Sequence, residues 1–109
     1  MDFAAALPEA LAELAALSSE IKRVAIVDEV GAVVGATAGA DGERLARAAG
    51  ELLAAAPAGA TYVEVALATG SVFAIRDGGR VALATTSAEP ASALVLHDLR
   101  TLLRDVTDA

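Results

Sequence analysis

Short apolar runs closed by turn signals alternate along this chain with longer stretches in which leucine or alanine returns every third or fourth residue. The short runs predict strands over residues 23–28, 32–37, 61–68, 71–77 and 80–86. They are apolar on both faces: Val63, Val65 and Leu67 point one way, and Tyr62, Ala66 and Ala68 the other. An antiparallel sheet with one wet face would alternate apolar and polar residues. This sheet therefore needs cover on both sides.

The longer stretches predict that cover. Phe3, Leu7, Leu11, Leu14 and Leu17 form the stripe of a first helix that Ser18-Ser19 ends. Asp2 is a candidate cap, but Pro8 suits a first turn, so the helix is expected to start near Leu7 with residues 1–6 loosely attached. A second helix opens at Asp41-Gly42-Glu43 with Asp41 as N-cap, and Pro57-Ala58-Gly59 stops it. Its core stripe is Leu45, Ala48, Ala49, Leu52, Leu53 and Ala56. The last helix buries Leu96, Leu99, Leu102, Leu103 and Val106, with a cap expected near Ser87 or Ser92 and Pro90 at its start. Turns fall at Glu29-Val30-Gly31, Thr69-Gly70 and Asp77-Gly78-Gly79. The order is helix, two strands, helix, three strands, helix, which makes a compact α/β (α+β) sandwich, a single domain over residues 1–109.

Composition narrows the function more than the fold. The net charge of −7 and the three aromatics, Phe3, Tyr62 and Phe73, leave no basic aromatic stripe for nucleic acid. The longest uncharged run, 12 residues over 52–63, is too short to span a membrane. No cationic segment precedes an apolar one at the N-terminus, so the expected location is cytoplasmic. Without cysteine there is no disulfide framework and no thiolate zinc site.

Catalytic groups are scarce. His97 is the one histidine, beside Asp98 in a helix where adjacent residues do not face each other. Lys22 follows no glycine loop, and the glycines at 31, 35, 39 and 42 make no dinucleotide fingerprint. The hydroxyls of Ser18, Ser19, Thr85, Thr86, Ser87 and Ser92 lie near element ends, where capping explains them and no base is placed to activate one. Asp28 and Glu29 are read as turn-stabilising. No catalytic, cofactor or metal site is expected.

Ala25-Ile26-Val27-Asp28-Glu29-Val30-Gly31-Ala32-Val33-Val34-Gly35-Ala36 is similar to the first hairpin of the roadblock/LC7 family. Arg76-Asp77-Gly78-Gly79-Arg80-Val81-Ala82-Leu83-Ala84 resembles its last hairpin, and Leu94-Val95-Leu96-His97-Asp98-Leu99-Arg100 the opening of its final helix. Together with the element order, the chain resembles this family of dynein light chains and bacterial gliding regulators over nearly its whole length. It departs at Ala93, near which members often carry glycine. The resemblance implies a five-stranded antiparallel sheet with the second helix on one face and the other two on the opposite face. It also implies a homodimer or heterodimer that serves as a platform for Ras-like GTPases or larger assemblies, without catalysis by the domain.

Candidate interface residues follow. Ala46, Gly50 and Ala54 form a small-residue stripe on the second helix, offset from its leucine face, that suits a close helix crossing in a dimer. The strand over 61–68, with Tyr62, Glu64 and Ala66, is expected at a sheet edge that a second copy would pair. Arg44 and Arg47 are the candidates for gripping a partner. The expected function is a non-catalytic dimeric module that regulates or scaffolds a small Ras-like GTPase. The alternatives are a small ligand-sensing domain or an assembly scaffold without a GTPase partner.

Overall fold

The computed structural model of the chain describes residues 3–28, 30–37, 41–77 and 79–107. The elements are α1 (Phe3–Leu17), β1 (Ile21–Val27), β2 (Val33–Ala36), α2 (Gly42–Ala55), β3 (Tyr62–Leu67), β4 (Gly70–Asp77), β5 (Arg80–Thr86) and α3 (Ser92–Thr107). The strands form one antiparallel five-stranded sheet in the order β2-β1-β5-β4-β3. Its two outer strands are therefore β2 and β3.

Alternation along the inner strands divides the core in two. Val24, Ile26, Phe73, Ile75, Ala82 and Ala84 face α1 and α3, meeting Leu7, Leu11, Leu99 and Leu103. The intervening Ala74 and Leu83 face α2, where Ala49 is buried and Leu45, Leu52 and Leu53 pack beside it. One helix covers one face and two cover the other, as the resemblance implies. The first layer carries the larger residues. Phe73 is fully buried there, a site where truncation to alanine costs about 3–5 kcal/mol.

Helix starts depart most from expectation. The first helix begins at Phe3 and runs through Pro8, although the proline favours a start near Leu7. Pro8 sits one turn in, so its missing N–H removes a single intrahelical bond near the end. Burial of Leu7, Leu11 and Leu14 on the sheet outweighs that loss. Close approach is also possible because Gly35 of β2 has no Cβ; one placed there would overlap Leu7. Asp2 and the side chains of Phe3, Leu17 and Val106 lie outside the described residues.

Asp41 caps α2 as expected, its carboxylate accepting from the Arg44 N–H at 3.2 Å. Asp28 stabilises its turn, one carboxylate oxygen accepting from the N–H groups of Val30 and Ala32 at 3.0 and 2.9 Å. The cap of α3 is neither Ser87 nor Ser92. The Ala91 N–H donates to both carboxylate oxygens of Glu20, each at 3.1 Å. The Ala91 carbonyl accepts the first helical bonds, from Leu94 and Val95. A carboxylate beside a helix N-terminus is favoured by the helix dipole as well as by the hydrogen bonds.

Replacing Glu20 by alanine removes that contact while leaving the strand pairing untouched. Chemical denaturation of E20A is expected to show a loss of about 1 kcal/mol. No loss would mean that the carboxylate does not hold α3.

Candidate docking surfaces

The two sheet edges differ in how available they are. β2 has four residues and its pairing with β1 is broken: Val27 faces Val33 while Ile26 faces Gly35, so Val34 is an extra residue. A short, bulged strand is a poor template for another chain. β3 has six residues, each opposite a residue of β4 from Tyr62↔Ile75 to Leu67↔Gly70, without a shift of register. Among the described residues its outer backbone groups face no other strand. Tyr62 and Leu67 are 46% and 57% exposed.

Register assigns the β3 side chains to faces. Tyr62 and Glu64 lie opposite Ile75 and Phe73, on the α3 side. The Ser92 hydroxyl donates to Glu64 at 2.8 Å, and the Arg100 guanidinium stands 5.7 Å from the centre of the Tyr62 ring. Val63 and Val65 lie opposite Ala74 and Val72, on the α2 side. The single charge of this strand is thus already bonded to α3, and its α2 side is wholly apolar.

On α2, Arg44, Arg47, Gly50 and Ala54 are exposed. A Cβ built on Gly50 would meet no atom within 4 Å. Ala46, Gly50 and Ala54 border an open groove of about 280 Å³ with Asp28, Arg76 and Val81. A second open groove, of about 570 Å³, continues from Gly31 and Ala46 to Val33, Glu43 and Arg47. A third, about 250 Å³, lies between α1 and α3, with Leu14 and Leu102 beneath Glu13, His97 and Asp98. Each of these three grooves is open to solvent, and none is lined by Tyr62 or Phe73. Among the described residues no group of three metal-ligating side chains comes together, and no helix is long and apolar enough to cross a membrane.

A roadblock/LC7 domain from Streptomyces avermitilis superposes with a TM-score of 0.79 at 14% identity, over 90% of this chain and 92% of that one. MglB of Myxococcus xanthus gives 0.76 at 18% identity, over 96% and 87%. This chain has the roadblock/LC7 fold. The same architecture extends to LokiProfilin2, seen in complex with rabbit actin, with a TM-score of 0.71 at 15% identity over 94% and 96%. No family model matches the sequence, and no curated protein is similar enough to count as a relative.

Within this roadblock/LC7 fold the expected interface residues separate into two groups. Tyr62, Glu64 and Ala66 share one side of β3, the side toward α3, whereas α2 with Ala46, Gly50 and Ala54 lies over the other face. The residues of β3 that share a face with α2 are Val63, Val65 and Leu67. Strand parity held the signal, since these three already alternate as one face in the sequence. Arg44 and Arg47 are exposed on α2, and among the described residues neither forms an ion pair with Glu43 or Glu51.

Two glycines predict opposite responses to one change. Gly50→Ala places a methyl in open space within a helix and is expected to stabilise by about 1 kcal/mol. Gly70→Ala drives its methyl into the backbone carbonyl of Thr86, a residue paired with Ile21 of β1, and is expected to destabilise by about 1–3 kcal/mol. Urea unfolding of both variants checks the signs; the same sign for both would contradict these packing assignments.

Proposed function

We propose that the chain is a non-catalytic homodimeric module that regulates or scaffolds a small Ras-like GTPase. The observation that carries the dimer is the β3 edge: regular, apolar on its α2 side, and open along its outer backbone. An exposed edge of this kind is a template for another strand, and pairing with an identical β3 satisfies both edges at once. A two-fold axis normal to the sheet pairs β3 antiparallel with its copy. It also sets both α2 helices on the same face of a continuous ten-stranded sheet, twice the five strands of one chain. Val63, Val65 and Leu67 from the two copies then meet across the seam, adding apolar burial to the backbone bonds.

The GTPase comes from the family resemblance, and the α2 face suits it. Arg44 and Arg47 are exposed on α2 in each copy, so a dimer offers a partner four guanidinium groups, set among Glu43 and Glu51 of the same helices. Arginines fixed on a helix suit gripping a partner's surface, shifting its switch loops, rather than entering its nucleotide site. The scarcity of nucleophile–base pairs supports a role without turnover by this chain alone.

Light scattering tests the seam. The parent chain is expected as a dimer at micromolar concentration, and Ala66→Lys with Leu67→Lys as a monomer, because both side chains are exposed and the added charges repel across the two-fold. A monomeric parent, or a dimeric variant, would remove the assignment. Titration calorimetry against a Ras-like GTPase of the same genome tests the partner. Arg44→Ala with Arg47→Ala is expected to weaken binding while leaving mass and fold unchanged. Absence of association in both the GDP and GTP states would sink the regulator reading.

A further inference from the structure

We propose that the groove between α1 and α3 docks a partner segment presenting one leucine-sized side chain flanked by arginines or lysines. The groove lies on the sheet face opposite α2, and no residue of β3 lines it. A second copy paired at β3 and a partner seated on α2 therefore both leave it open. Filling it gives the chain a separate site for a further molecule, beyond the dimer and GTPase contacts.

Shape limits the occupant first. Leu14 and Leu102 form the floor with Ala10, and the walls are single turns of the two helices. Ala10 to Leu14 and Asp98 to Leu102 each span four residues, about 6 Å of helix rise. A groove of about 250 Å³ and that length takes one aliphatic side chain, while the backbone that bears it stays outside.

Charge selects what stands beside that side chain. Glu13 on the α1 wall and Asp98 on the α3 wall line the groove, and no lysine or arginine does. His97 adds an imidazole, a hydrogen-bonding group in place of a fixed cation. Neither helix neutralises the groove. α1 carries no basic residue. Both arginines of α3 are engaged on its other flank: Arg100 stands 5.7 Å from the centre of the Tyr62 ring, and Arg104 pairs with Asp77 at 3.4 Å. Among the described residues, Glu13 and Asp98 have no ion pair or side-chain hydrogen bond, although Asp98 is half-buried. Two carboxylates on opposite walls of an apolar cleft focus a negative potential into it. A cation on either side of the seated side chain meets one carboxylate each, and a segment flanked by carboxylates is repelled twice.

The test uses the full chain, isotopically labelled, and two capped helical peptides. Each carries one leucine, with arginines at i−4 and i+4 in one and glutamates there in the other. The arginine peptide should shift the amide resonances of Ala10, Leu14 and Leu102 saturably and leave Gly50 and Val63 unmoved. The glutamate peptide should bind at least about tenfold more weakly. Glu13→Gln with Asp98→Asn keeps the shape and removes both charges, so it should weaken the arginine peptide by at least about tenfold at an unchanged thermal midpoint. Serine in place of the peptide's leucine should weaken it by a similar factor, which separates a seated side chain from charge attraction alone. Absence of saturable shifts, equal binding of the arginine and glutamate peptides, or binding unaffected by either change would overturn the proposal. So would shifts centred on α2 or β3, or loss of dimer mass on adding the peptide, because the peptide would then occupy a different surface. A monomeric parent chain that still binds the arginine peptide at α1 and α3 would remove the β3 seam and support this groove, so the two failures are distinguishable.

Discussion

The sheet is apolar on both faces, and its helices cover those faces but cannot cover the outer edge of β3. Every inner strand finds two neighbours, and both core layers close against α1, α3 or α2. The opposite edge ends in β2, which is short, carries an extra residue at Val34 and lies under α1 at Gly35. β3 has no such protection. The cost of leaving backbone groups and apolar side chains at an ordered edge is the constraint on which the proposed dimer rests.

That edge is also held in shape. Ser92 and Arg100 on α3 engage Glu64 and Tyr62, and Glu20 bonds the Ala91 N–H at the start of the same helix. A strand fixed in this way loses little conformational freedom when another strand joins it, which favours association without any added contact. The contacts lie on the α3 side of the sheet, so the α2 side remains available for side chains of a second molecule. Structure on one face thus prepares a surface on the other.

Local signals made most of the architecture legible in the sequence. Leucine spacing marked the helices, glycine and aspartate marked the turns, and Asp41 marked the start of α2. Long-range choices were less legible. Pro8 argued locally for a helix start near Leu7, but sheet packing of Leu7, Leu11 and Leu14 sustains the helix from Phe3. The cap of α3 comes from Glu20, 71 residues away, which no window of sequence near Ser92 could reveal. β3 was legible as an edge strand, and its alternation already set Val63, Val65 and Leu67 apart from Tyr62 and Ala66; which helix lies over each side became visible only from its pairing with Phe73, Ala74 and Ile75. The stripe of Ala46, Gly50 and Ala54 was legible as a stripe, but only the folded chain shows it bordering a groove with Asp28 and Arg76.

Hydrogen exchange at the backbone amides of β3 tests the central claim most directly. If a second copy pairs with this edge, the outward-facing N–H groups within residues 62–67 are protected at high protein concentration and exchange rapidly on dilution, while those bonded to β4 stay protected throughout. Rapid exchange of the outward amides at every concentration would contradict the account.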